Sequence, residues 1–107
     1  MNSQYKKGVL ELCVLSLLYK QDCYGYDVSE YLSRHIEIAD GTVYPILRKL
    51  KGDGFVTTYL SEESGGPPRK YYSLTKTGKD EYRTQKAEWL AFAESISNLL
   101  EGEIKSE

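Results

Sequence analysis

Between residues 6 and 20 the chain is apolar on nearly every side. Val9, Leu10, Leu12, Cys13, Val14, Leu15, Leu17 and Leu18 leave almost no polar face. A helix with this pattern is central and covered from several directions. In so small a chain, its cover points to a partner subunit. Gln21, Asp22 and Cys23 read as a turn, and a second helix is predicted over 24–33 with Val28, Tyr31 and Leu32 as its inward stripe. Residues 34–39 form a link in which Ile36 and Ile38 pack as an extended segment. Over 40–51 the spacing becomes strictly amphipathic. Val43, Ile46, Leu47 and Leu50 recur at i, i+3, i+4 and i+7, while Thr42, Tyr44, Pro45, Arg48 and Lys49 point the other way. Asp40 is placed to cap this helix. Pro45 lies near enough to its start to be tolerated, and Gly52 and Gly54 close it.

The period then drops to that of strands. Residues 55–60 (Phe-Val-Thr-Thr-Tyr-Leu) and 69–74 (Arg-Lys-Tyr-Tyr-Ser-Leu) are rich in β-branched and aromatic side chains. Between them Ser61–Pro68 carries every turn signal, two glycines and two prolines included. Helical spacing resumes from about 75 to 101. Tyr82, Trp89 and Ile96 recur every seventh residue, as do Phe92 and Leu99, and Ala93 and Leu100. Sustained spacing of this kind is a seam for another helix. The expected fold is mainly α with a small β-hairpin: a winged helix-turn-helix plus a long C-terminal dimerisation helix. Residues 1–78 form the winged-helix DNA-binding domain and 79–107 the dimerisation helix. Tyr82, Trp89, Phe92, Ile96 and Leu99 make the expected dimer seam, with a homodimer about a two-fold axis as the simplest way to cover it. Folding back on the first helix is the other way, and both are expected together.

Composition narrows the function classes. The chain has 107 residues and a net charge of −2, which by itself argues against nucleic acid. The charge is unevenly placed, however. Residues 1–79 hold 11 basic and 9 acidic side chains, and 80–107 hold 3 and 7. Where the charge sits matters more for DNA than its total. The longest apolar run is far short of a membrane span, and no signal-peptide core follows the start, so a cytoplasmic protein is expected. The two cysteines, Cys13 and Cys23, are not spaced for metal, and no metal or cofactor is expected. His35 is the sole histidine and has no placed carboxylate or serine partner, and Gly65-Gly66 precedes prolines, not a helix. An enzyme is not expected.

The candidate chemistry is that of a DNA surface. Two helices, a short connection and an amphipathic third helix follow helix-turn-helix order. Such a helix brings short polar groups to base edges and cations to phosphates, although a solvated face reads the same way. Ten tyrosines against two phenylalanines supply rings with polar tips. Tyr24 and Tyr26 flank Gly25 at a predicted helix start, where free N–H groups suit a phosphate; equally, Tyr26 packs inside and Gly25 allows a close crossing. Arg69 and Lys70 lie at the base of the wing, where they would neutralise phosphates, with Glu62 and Glu63 on the same loop as an objection.

Several of these segments together carry a family likeness. They are Leu10-Glu11-Leu12 with Val14-Leu15, Tyr24-Gly25-Tyr26, Gly41-Thr42-Val43-Tyr44-Pro45, and Gly65-Gly66-Pro67-Pro68-Arg69-Lys70-Tyr71-Tyr72-Ser73-Leu74-Thr75 with Gly78. In this order and spacing the chain resembles the PadR family of bacterial transcriptional regulators over nearly all of residues 7–78. Its single C-terminal helix resembles the smaller branch of that family. Ala39 stands where the family usually has a Ser or similar cap. The resemblance implies a dimeric repressor on a pseudo-palindromic DNA operator. Helix 40–51 would lie in the major groove and the 61–70 wing on the backbone. Thr42 and Tyr44 would sit nearest the bases and Lys49 beside phosphates; Tyr24, Tyr26, Arg69 and Lys70 would hold backbone. Glu88-Trp89 is similar to a position of multidrug-sensing members. That implies a planar aromatic effector, phenolic acids included, between subunits, with Trp89, Phe92, Leu15 and Leu18 as its lining. A closed dimer core without a cavity is the alternative there. For the whole chain the alternative is a winged-helix protein-interaction module without sequence-specific DNA binding.

Overall fold

The computed structural model describes residues 3–62 and 65–102. In chain order the elements are α1 (Ser3–Lys20), β1 (Cys23–Tyr24), α2 (Gly25–Ser33), α3 (Val43–Gly52), β2 (Val56–Ser61), β3 (Arg69–Leu74) and α4 (Lys76–Glu101). The expected helices and the two expected strands are all present. Glu63, placed on the wing tip by the sequence, lies outside the described residues.

α1 is the hub. It packs on α2, α3, α4 and β3, as its all-round apolar pattern requires. Val14 and Leu15 are fully enclosed, together with Val28 from α2 and Val43, Leu47 and Leu50 from α3. Tyr72 and Leu74 of β3, Val56 of β2 and Tyr82 of α4 complete one core. Ile36 and Ile38 pack against it from the link, which forms no strand.

Three expectations are corrected. Cys23 is not part of a turn: with Tyr24 it forms a third strand, giving the antiparallel order β1–β3–β2 with Cys23 opposite Tyr72 and Tyr24 opposite Tyr71. Two residues carry no periodicity, so no pattern announces such a strand. Asp40 does not cap α3. Gly41 takes a positive φ of 82° and turns the chain between them, and Thr42 occupies the cap position without a side-chain cap bond. Pro45 lowers the need for one, since it brings no N–H to the first turn. Tyr82 is not on an open seam but in the protomer's own core, its ring 4.7 Å from that of Tyr19.

The far end of α3 is closed as expected. Gly54 adopts φ 80°, and the Phe55 and Gly54 N–H groups donate to Leu50 and Lys51 carbonyls at 2.9 and 3.1 Å. This pairing is the Schellman closure, for which a left-handed glycine is the favoured residue. Thr75 then ties α4 to this corner. Its hydroxyl donates to the Gly54 carbonyl at 2.7 Å and accepts from the Gly78 N–H at 3.0 Å. Gly78 lies so close to the Phe55 carbonyl that a Cβ there would meet its oxygen at 2.0 Å. The 78/79 boundary expected between domains therefore falls inside α4, whose opening turns belong to the core.

Candidate nucleic-acid interface

α3 presents Tyr44, Pro45, Arg48, Lys49 and Lys51 to solvent, opposite its four buried side chains. Tyr44 is anchored at its base. A Cβ on Gly25 would lie 3.1 Å from the Tyr44 ring and 3.2 Å from the Tyr72 ring, so the start of α2 crosses close against both. Burial of the Tyr44 phenol, helped by neighbouring Tyr24, Tyr72 and Tyr26, pushes its pKa up. At neutral pH it is a hydrogen-bond donor and not an anion. Gly25 thus serves a close crossing. Tyr26, in contrast, is not a core residue but 57% exposed.

Beside α3 the sheet carries a row of phenols. Tyr59 stacks on Tyr71 with ring centres 5.7 Å apart and planes at 15°. Tyr71 lies 6.2 Å from Tyr24, and Tyr24 lies 6.4 Å from Tyr26. The Arg69 guanidinium sits 4.9 Å from the centre of the Tyr24 ring. Alternation along β3 puts Arg69 with Tyr71 on this outer face and Lys70 with Tyr72 on the inner one. Arg69 and Lys70 therefore point to opposite sides of the wing, which the sequence reading, pairing them as one clamp, did not anticipate.

Lys49 is differently placed from its neighbours. Its ammonium lies 3.1 Å from Asp53 and 3.2 Å from Glu11 of α1. Asp53 first, and then Glu11, hold its pKa above the usual lysine range. Arg48 and Lys51 have no ion-pair partner among the described residues; the sequence leaves Arg48 open between a phosphate contact and a solvated side chain, and gives Lys51 no role. Periodicity could not separate them, because the distinction depends on which carboxylate of α1 stands opposite.

A second surface runs along α4. Trp89 and Phe92 lie 6.3 Å apart, and both are exposed with Leu90, Ile96, Leu99 and Leu100. Trp89 and Phe92 border an open hollow of about 680 Å³ whose other lining includes Val9, Leu12, Glu81 and Glu88. Leu15 and Leu18 do not reach this hollow. They are 0% and 3% exposed, because α1 turns that side into the core and Leu12 outward. The expected lining is corrected accordingly. No group of side chains suited to hold a metal ion occurs among the described residues. No helix there is long and apolar enough to cross a membrane.

Helix-turn-helix, exposed third helix and hairpin wing together define a winged-helix protein with an appended C-terminal helix. The profile of the transcriptional regulator PadR-like family matches residues 14–84. The chain is similar to a PadR-like transcriptional regulator of Bacillus cereus, at 34% identity and TM-score 0.86, covering 94% of this chain and 99% of that one. It is also similar to smu.1704 of Streptococcus mutans UA159, at 35% identity and TM-score 0.85 over 94% of each chain. The negative transcriptional regulator PadR of Bacillus subtilis is 29% identical over 99 residues, covering 89% of this chain and 52% of that protein. The chain thus spans about half the length of that relative. It belongs to the PadR-like family of transcriptional regulators, whose members are regulators and not enzymes.

Proposed function

We propose that the protein is a dimeric repressor that binds a pseudo-palindromic operator through α3 in the major groove and the wing on the backbone. The observation that carries this reading is the solvent face of α3. It bears Tyr44 with the cations Arg48 and Lys51, beside a cluster of Tyr24 from β1, Tyr26 from α2 and Arg69 from β3. Thr42 and Tyr44 stand at the end of α3 that reaches base edges. Tyr24, Tyr26, Arg69 and Lys70 take backbone phosphates, and so do Arg48 and Lys51. Lys49, shared between two carboxylates, contributes less than the sequence suggests.

The apolar side of α4 supports the dimer. Phe92 and Leu99 are 51% and 77% exposed, and a two-fold axis would cover both copies with one contact. A planar aromatic effector between Trp89 and Phe92 would change DNA binding only through different affinities for the two states of the dimer. Glu81 and Glu88 on the same hollow favour a cationic ligand over a phenolic acid. Quenching of the single tryptophan by planar dyes, positively charged ones above all, is the expected result; a panel without effect would remove the pocket.

The wing is tested by fluorescence anisotropy with duplex DNA at several salt concentrations. Lys70→Ala is expected to weaken binding to all sequences alike and to lower the salt slope by about one unit. An unchanged slope would take Lys70 off the backbone.

A further inference from the structure

Among the described residues a side-chain bond links the helix-turn-helix to the outer strand of the wing. The Tyr59 hydroxyl on β2 donates to the Asp22 carboxylate at 2.7 Å, across 37 positions of sequence. β2 and β1 are not neighbours in the sheet, since β3 runs between them. The bond therefore spans the middle strand, over the Tyr71 ring on which Tyr59 stacks. The backbone ladder joining β1 to β3 is only two residues long. Beyond it the hairpin continues outward to Ser61 and Arg69. Val56, Tyr72 and Leu74 hold the base of the hairpin in the core, and a side-chain tie at its outer strand limits how far the part beyond the short ladder can bend.

We propose that Asp22 and Tyr59 form a latch that sets the position of the wing relative to α3. They are positioning residues for the wing cation Lys70. The proposal rests on the DNA-binding reading above. A hydrogen bond to a carboxylate is among the stronger kinds, and the stacked rings of Tyr59 and Tyr71, with Tyr24 tilted against Tyr71, give it a stiff arm. Asp22 is acidic and close to a surface that meets phosphates. By charge alone its removal would tighten DNA binding, and loss of the neutral Tyr59 hydroxyl would do nothing. A latch demands the opposite: both losses weaken binding, because the wing is then ordered only at the moment of docking.

The test uses the full chain, a labelled duplex from upstream of its own gene and a random-sequence duplex. Anisotropy is measured for the wild type, Tyr59→Phe and Asp22→Ala, each also in a Lys70→Ala background. Melting by circular dichroism identifies any variant that has lost its fold, in which case the other variant carries the test. Each latch variant is expected to weaken binding about fivefold, and this loss disappears once Lys70 is already Ala. Tighter binding by Asp22→Ala, no change in either variant, or the same loss in the Lys70→Ala background would overturn the latch while leaving the DNA-binding reading intact. A wild type that binds neither duplex would overturn that reading, and the latch with it.

Discussion

A cation one position along a helix can belong to a different structure. Lys49 is a strut between α3 and α1 through Glu11, whereas Arg48 and Lys51 face solvent without ion pairs among the described residues. Arg48→Ala and Lys51→Ala are each expected to lower the salt slope of DNA binding by about one unit. Lys49→Ala should leave the slope nearly unchanged. The same titrations check all three, and a full-unit drop for Lys49→Ala would return it to the phosphate set. Its pair with Asp53 is exposed and is worth at most about 1 kcal/mol, while the Glu11 carboxylate in the other pair is largely covered. Because Asp53 and Glu11 raise its pKa on folding, that contribution is complete at neutral pH and is lost only as pH climbs past the ordinary lysine value of 10.5. A melting difference between wild type and Lys49→Met that stays constant through the neutral range and vanishes in strong alkali is the expected profile. Residue identity was legible in the sequence here; the partners were not, because Glu11 and Lys49 are adjacent only once α1 and α3 have packed.

At the scale of elements, long patterns were readable and short ones were not. The stripe of Val43, Ile46, Leu47 and Leu50 is buried as its spacing requires, and β3 spans the six residues its composition marked. β1 escaped because two residues cannot alternate visibly. The start of α3 was misread because Asp40 is a good cap only if the next residue stays on course, and Gly41 does not. Two glycines separate packing from function. Gly78→Ala would drive a Cβ into the Phe55 carbonyl, a backbone atom that cannot swing aside. The expected cost is at least about 3 kcal/mol, seen as a large fall in melting temperature. At Gly25 the neighbours are the rings of Tyr44 and Tyr72. Gly25→Ala should cost about 1 kcal/mol of stability, yet displace Tyr44 and weaken DNA binding more than that figure implies. Equal effects in the melt and in the titration would mean that Tyr44 is not a DNA contact.

The whole molecule is long and narrow, 68 × 28 × 20 Å, with a radius of gyration of 16.9 Å. A compact chain of this length has a radius near about 13 Å. The excess comes from α4, whose 26 residues run past the core that buries only its first turns. The exposed apolar side of this projecting helix supports the proposed dimer, in which α4 of each copy would cover that of the other. The heptad spacing predicts the apolar stripe that α4 leaves exposed, apart from Tyr82, which lies in the protomer's own core. Phe92→Glu and Leu99→Glu are each expected to convert the dimer to monomer by light scattering, and to weaken operator binding by removing the second half-site contact. A wild type that is already monomeric at micromolar concentration would contradict the dimer.

The most direct measurement is an anisotropy titration of the wild-type protein with DNA from upstream of its own gene and with an unrelated duplex, at two salt concentrations. The account predicts clear preference for the upstream DNA at both, over a weaker and more salt-sensitive affinity for the unrelated duplex. Equal and weak binding to both duplexes would contradict a sequence-specific regulator of its own promoter. It would favour a winged helix that serves protein contacts.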